Sequence, residues 1–259
     1  MQSLSGPKFG SNSSRTTAEV ERPDNSIGKI MRRRFRIPLS NLPLNRDHPM
    51  KLYTHPGASS LSVHILLRET RLPFDLEVIN VTAKVRADGS DYWKVARRGM
   101  VPLLELDNGE TLTENLVIAQ YLCDLAGRRD LMPEPGTMQR YRVMEWQSYV
   151  AAELHKSFVP MFWPIDEEMR TLVLQRIRSR LGFLDGSLKG PFLTGETFTA
   201  ADAYLFVIGS WARHFGIPTD EFSRVRNLLK LVSERQSVRD ALNAEGRGLV
   251  VIDDPDPLP

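Results

Sequence analysis

The chain reads as a small mixed α/β unit followed by an all-helical one. Three observations predict this. From Lys51 to Ala126 the apolar pattern runs through strand, helix, strand, short helix, strand, strand and helix. After Thr137 every periodic stretch repeats with helical spacing. Between them the run Arg-Arg-Asp-Leu-Met-Pro-Glu-Pro, bounded by Gly127 and Gly136, reads as an interdomain linker.

Lys51 to Thr54 is a short strand. The small residues Gly57-Ala58-Ser59-Ser60 turn the chain into a helix from Leu61 to Glu69, with Leu61, Ile65 and Leu66 on one side. Phe74, Leu76 and Val78 alternate with Glu77, Ile79 and Val81, the mark of a second strand with a buried face. A polar passage from Thr82 to Arg98 holds a short helix at Asp91 to Ala96. Val101 to Asp107 forms a third strand, and Asn108-Gly109 is the favoured two-residue hairpin turn into a fourth at Glu110 to Thr113. Glu114 to Ala126 is a helix that Gly127 stops. This βαβ-ββα order is that of a thioredoxin-like sheet.

In the second unit, Thr137 to Lys156 is a long helix carrying Tyr141, Met144, Trp146, Tyr149 and Leu154. Pro160 and Pro164 interrupt, and Glu167 to Leu188 supplies another helix. Thr199-Ala-Ala-Asp202 resembles a capping box, in which hydroxyl and carboxylate satisfy the orphan N–H groups, so Asp202 is structural. It opens an apolar helix, Ala203 to Trp211, that belongs in the middle of a bundle. The boundaries expected are a disordered extension over 1–49, the first domain over 50–127 and the helical domain over 137–248. The stretch after Val251 is a frayed end.

Composition is that of an ordinary globular chain of 259 residues, 41% hydrophobic and 25% charged. Residues 1–49 hold nine Lys/Arg against four Asp/Glu, so the net +2 of the whole leaves the remainder at −3. A slightly acidic folded body argues against nucleic acid as the main ligand. The basic cluster Met31-Arg-Arg-Arg-Phe-Arg reads as part of a solvated tail, with a localisation or polyanion-binding patch as the alternative and a start at Met50 as a third reading. No run has the apolar block of a secretory signal or the length of a membrane span. A single cysteine, Cys123, excludes an internal disulfide and fits a cytoplasmic location. It reads as a small buried hydrophobe rather than a reactive thiol. The five histidines show no metal spacing.

Chemistry is concentrated at Gly57 to Ser60. A helix start offers unpaired N–H groups and partial positive charge, and Ser59 and Ser60 add hydroxyl donors, an arrangement suited to holding a thiolate. Pro102 lacks an N–H, which leaves the backbone of Val101 free for a ligand.

The motifs Tyr53, Pro56-Gly57-Ala58, Ser60-Leu61-Ser62, His64, Val101-Pro102, Leu112-Thr113-Glu114, Glu153-Leu154-His155-Lys156 and Phe198 to Phe206 stand in an order that resembles the bacterial, beta-type glutathione S-transferases, over about 200 of the 259 residues. The resemblance implies a thioredoxin-like domain and a helical domain, a cytoplasmic homodimer, and detoxification by conjugating reduced glutathione to a hydrophobic electrophile, with peroxidase activity beside it. No metal, nucleic acid or membrane partner is expected. Dimerisation would use the first domain's last helix and the long helices of the second, where Tyr141 to Tyr149 shows apolar residues on more than one face. Glutathione would be held by a cis Val101-Pro102 element pairing with it like an added strand, by Tyr53, by Glu114 at its γ-glutamyl end, by the N–H of Asn115, and by Lys84 and Lys156 near its carboxylates. His155 would lie near the sulfur, and Phe158, Phe162, Tyr204 and Trp211 would line the apolar pocket.

One residue departs from that pattern: Ser59 stands where the family usually has a cysteine. A hydroxyl cannot form the mixed disulfide, but it can donate to the glutathione thiolate. A hydrogen bond to a charged acceptor contributes roughly 1.5–3 kcal/mol, enough to lower a thiol pKa of about 8.5 by one to two units. Ser59 is therefore the expected catalytic donor, with Ser60, Tyr53 and His55 as rivals. Glutathione-dependent dehalogenation or isomerisation, and a non-catalytic binding protein of the same fold, remain the alternatives.

Overall fold

The computed structural model describes residues 49–246. The expected disordered extension and basic cluster, the frayed end, and residues 247–248 of the second domain lie outside them.

Strands β1 (Met50–Thr54), β2 (Phe74–Val78), β3 (Leu103–Glu105) and β4 (Thr111–Thr113) form one sheet in the order β2-β1-β3-β4, with β2 parallel to β1 and the remaining pairs antiparallel. Leu52 stands opposite both Leu76 and Leu104, so one face is a leucine stripe. Helices α1 (Leu61–Thr70) and α2 (Asn115–Leu125) bury that face through Leu61, Ile65, Leu66, Ile118 and Leu122. Tyr53, Ile79, Tyr92, Ala96 and Leu103 make a separate small core on the opposite face, under a 3-10 turn at Tyr92–Lys94 that Asp91 caps through the N–H of Trp93. This is the thioredoxin-like arrangement that the strand order predicts.

Two local readings change. The hairpin is built on a turn from Leu106 to Gly109, with Gly109 at φ +83° and the N–H of Leu106 donating to the carbonyl of Glu110. It is thus a longer loop than two residues, and β3 and β4 are short accordingly. Helix α1 is also buried on all sides: Val63, His64 and Leu67 are shut in along with the expected apolar positions. The reason is tertiary, since helices α5 and α7 of the second domain cover the face that would otherwise meet water.

Those helices belong to a bundle of α3 (Met138–Tyr149), α4 (Glu167–Ser187), α5 (Ala200–His214), α6 (Ser223–Ser233) and α7 (Gln236–Ala244). Past α3 the chain continues through a π-helical turn at Val150–His155 into Lys156–Phe158, which widens the helix where the cleft residues Ala151, His155 and Lys156 stand. The capping box of α5 is present: Asp202 accepts from the N–H and hydroxyl of Thr199, both at 2.8 Å, and from the N–H of Leu193. Its side chain is spent on structure. The segment 127–136 is anchored rather than slack, because Leu131 and Met132 are in the core and the N–H of Ala200 donates to the carbonyl of Leu131. Cys123 is fully buried, which pushes its thiol up to about 12.

Candidate active site

A cleft of about 510 Å³ opens between the loop after β1, the segment before β3, the start of α2, the π-helical turn and α5. Ser59, Val101, Pro102, Glu114, Asn115, His155, Lys156 and Tyr204 all line it. The hydroxyl of Ser59 takes part in no hydrogen bond among the described residues, although the residue is only 6% exposed.

The rivals for its role are occupied. Ser60, the N-cap of α1, accepts from the Thr54 hydroxyl at 2.8 Å and from the N–H of His55 at 3.2 Å. The Tyr53 hydroxyl donates to Glu105 at 2.7 Å on the opposite face of the sheet, and burial with that hydrogen bond raises its pKa well above the ordinary tyrosine range. His55 holds the carbonyl of Ile79 through Nδ1 at 2.8 Å. Tyr53 is therefore placed away from the cleft, because side chains alternate along β1 and Thr54, not Tyr53, points toward the helix start.

Behind the loop lies a buried polar knot that sequence reading missed. Glu245 Oε1 accepts from His64 Nδ1 at 2.9 Å and from the Thr54 hydroxyl at 3.1 Å, and Oε2 accepts from the N–H of Gly57 at 3.3 Å. Arg68 Nε donates to His64 Nε2, which puts the imidazole proton on Nδ1. Glu245 sits in a polar stretch just past α7, and only the fold brings it to Gly57.

On the cleft's other wall, Val101 precedes β3, the Val101–Pro102 bond is cis, and neither the N–H nor the C=O of Val101 is hydrogen-bonded among the described residues. Glu114 is the N-cap of α2, at φ +71° with no side-chain cap. That left-handed backbone, uncommon for a non-glycine residue, leaves its carboxylate outside the helix and in the cleft. The Asn115 side chain accepts from the Ser62 hydroxyl at 2.7 Å. His155 Nδ1 pairs with the Tyr204 hydroxyl at 2.8 Å. Burial, with the adjacent Lys156 charge, lowers the His155 pKa from 6.5 to about 4, so the ring is neutral near pH 7.

Four other expected residues are not at this cleft. Lys84 turns away, donating to the carbonyl of Gly99 at 2.6 Å, with its ammonium 5.6 Å from the centre of the Trp93 ring. Phe158 is fully buried and packs on Trp211 and Phe215, so it is core. Trp211 Nε1 donates to the carbonyl of Gly57, which fixes the indole beside the loop rather than in the cleft. Phe162, half exposed, stands edge-on to Trp211 and makes an apolar shoulder there. Conversely, Arg97, Arg98 and Met100 line the cleft and were not anticipated, since Arg97-Arg98 reads as solvated charge in a polar passage. No group of three or more His, Cys, Asp or Glu among the described residues could hold a metal ion, and no helix there is long and apolar enough to cross a membrane.

Comparison with known proteins is consistent with this geometry. The glutathione S-transferase N-terminal domain family matches residues 58–125 and the C-terminal domain family matches residues 149–236. The chain is 39% identical over 199 residues to the glutathione S-transferase GstA of Escherichia coli O157:H7, covering 76% of this chain and 99% of that one. A bacterial beta class glutathione S-transferase of Sphingomonas chungbukensis superposes with a TM-score of 0.73 at 38% identity, covering 76% of this chain and 98% of its own. A sphingomonad glutathione S-transferase complexed with glutathione superposes with the same score at 35% identity and the same coverage.

Proposed function

The chain belongs to the glutathione S-transferase family, with bacterial beta-like members among its relatives, and from that premise we propose that it is a serine-type enzyme: Ser59 holds the thiol of reduced glutathione ionised for attack on a hydrophobic electrophile. The observation that carries this reading is the Ser59 hydroxyl, without a hydrogen-bond partner among the described residues, facing a cleft whose opposite wall presents the N–H and C=O of Val101, likewise without partners among them. Those two groups suit the cysteinyl backbone of the tripeptide, in the manner of an added strand. Glu114 suits its ammonium, and the N–H groups at the start of α2 suit a carboxylate. Lys156 adds positive charge on the far wall.

In this reading Ser59 donates its O–H to the sulfur, and the first turn of α1 contributes its partial charge. His155 is neutral and paired on Nδ1, so its part is to shape and polarise the space above the sulfur without adding a full charge. Met100, Leu116 and Ala151, which line the cleft, supply apolar surface for the electrophile, with Phe162 as a shoulder outside it. The same thiolate would reduce a hydroperoxide. No second observation favours dehalogenation, isomerisation or loss of catalysis over conjugation. We propose that the enzyme is cytoplasmic and a homodimer that buries the exposed apolar side chains Val117, Met138 and Tyr141. Sedimentation at the 29.4 kDa of one chain, at micromolar concentration, would refute the dimer.

The catalytic reading is tested by titrating the thiol of bound glutathione through its ultraviolet absorbance. Ser59→Ala should raise that pKa by about one to two units and slow conjugation near pH 7 about 10-fold or more, with glutathione affinity held within a few-fold. An unchanged thiol pKa would remove Ser59 from the mechanism.

A further inference from the structure

We infer that Arg98 reads the α-carboxylate of the γ-glutamyl end of glutathione, and that the Arg98–Glu114 ion pair seen here separates into two contacts with that end when the tripeptide binds. The inference rests on the glutathione reading above. It starts from a charge count. Glu114 is the one carboxylate among the described residues that line the cleft, against three cations, Arg97, Arg98 and Lys156. Reduced glutathione carries one ammonium and two carboxylates, the complement of a site with one acid and a surplus of bases.

Connectivity then selects among the cations. The ammonium and one carboxylate of the ligand sit on the same carbon, so whichever group takes that carboxylate must stand beside the group that takes the ammonium. Of the three cations Arg98 alone meets this condition, alongside the N–H groups at the start of α2: its guanidinium donates to Glu114 Oε1. Lys156 lies on the wall formed by the π-helical turn, and nothing pairs it with Glu114. The planar fork of a guanidinium also matches a carboxylate in a way that an ammonium does not.

The pair is built to exchange partners. Both side chains are largely exposed, 68% for Arg98 and 63% for Glu114, so neither loses much hydration by staying paired or by parting. Their backbones, by contrast, are held. Glu114 is set by its φ of +71° at the start of α2. Arg98 precedes Gly99, which has φ +57°, has its carbonyl bonded to Lys84, and lies so close to the Trp93 ring that an added Cβ would come within 2.8 Å of it. Lys84 thus serves the ligand indirectly, by fixing the segment that carries Arg98. Ligand binding would replace one exposed protein–protein ion pair by two protein–ligand ones.

The test measures dissociation constants by calorimetry for the full chain and its Arg98→Gln variant. Three peptides serve as probes: glutathione, 4-aminobutyryl-Cys-Gly, which lacks the α-carboxylate, and glutaryl-Cys-Gly, which lacks the α-ammonium. The full chain should bind 4-aminobutyryl-Cys-Gly about 10-fold or more weaker than glutathione. Arg98→Gln should lose most of that discrimination, binding glutathione weakly and 4-aminobutyryl-Cys-Gly as well as the full chain does, or better because Glu114 is released. It should still discriminate against glutaryl-Cys-Gly. If Arg98→Gln weakens glutathione and 4-aminobutyryl-Cys-Gly by the same factor, or weakens neither, Arg98 does not read the carboxylate and the inference falls while the glutathione reading stands. If the full chain binds none of the three, both fall together.

Discussion

Ser59 and Ser60 are adjacent, both nearly buried, and opposite in condition. Ser60 belongs to a closed knot with Thr54, His64 and Glu245, in which each donor meets an acceptor. Ser59 belongs to an open wall: among the described residues its hydroxyl has no partner, and across the cleft the backbone of Val101 has none either. Closed polar networks hold a fold in one conformation, whereas groups left short of partners in a cleft are the ones a ligand can satisfy. The difference teaches that the chemistry of this loop is divided between neighbours, one serine fixing the helix start and the other free to act there.

The sharpest way to break this division is Glu245→Ala. Removing a carboxylate that is 6% exposed leaves His64 Nδ1–H and the N–H of Gly57 without their acceptor, while the Thr54 hydroxyl keeps only Ser60. Stability should fall by about 3–5 kcal/mol, read from the denaturant midpoint. Glutathione bound to whatever remains folded should keep its thiol pKa. A variant with an unaltered midpoint and a shifted thiol pKa would place the knot inside the chemistry and dissolve the contrast. Ser59→Ala is the converse, expected within about 0.5 kcal/mol of the parent because the hydroxyl makes no hydrogen bond among the described residues.

Legibility followed the same line. The strand order, the helices and the capping box at Asp202 were readable because period-two and period-3.6 patterns and local capping chemistry are written in neighbouring residues. The loop Gly57 to Ser60 was readable for the same reason. Glu245 was not, since nothing in a polar stretch near residue 245 says that it will meet Gly57 across the domains. Arg98 looked like any surface base. Lys84, Trp211 and Phe158 were assigned to the site by resemblance, and their hydrogen bonds and burial turn them toward the scaffold instead. Long-range pairing separates the knot from the cleft, and a one-dimensional pattern carries little of it.

A smaller effect, which sharpens the comparison from the cleft side, is the pH dependence of stability. His155 takes a proton near 6.5 when solvated but only near 4 in the fold, because burial, aided by Lys156, disfavours the charged ring. Between those values the unfolded chain binds more protons, so acid favours unfolding. The loss begins as pH falls through about 6.5 and is complete below about 4, approaching about 3 kcal/mol at most. Asp202 works the other way, its carboxyl pushed up to about 6 by burial, so its contribution is present in acid and fades as pH rises through that value. The whole-protein curve is therefore composite, and the informative quantity is the difference between the parent and His155→Gln, whose amide can still bond the Tyr204 hydroxyl. The variant should lose less stability than the parent between pH 7 and 4.5. Parallel curves would mean that the ring is solvated in the folded protein, and that the open wall of the cleft carries no desolvated group for a ligand to satisfy on that side.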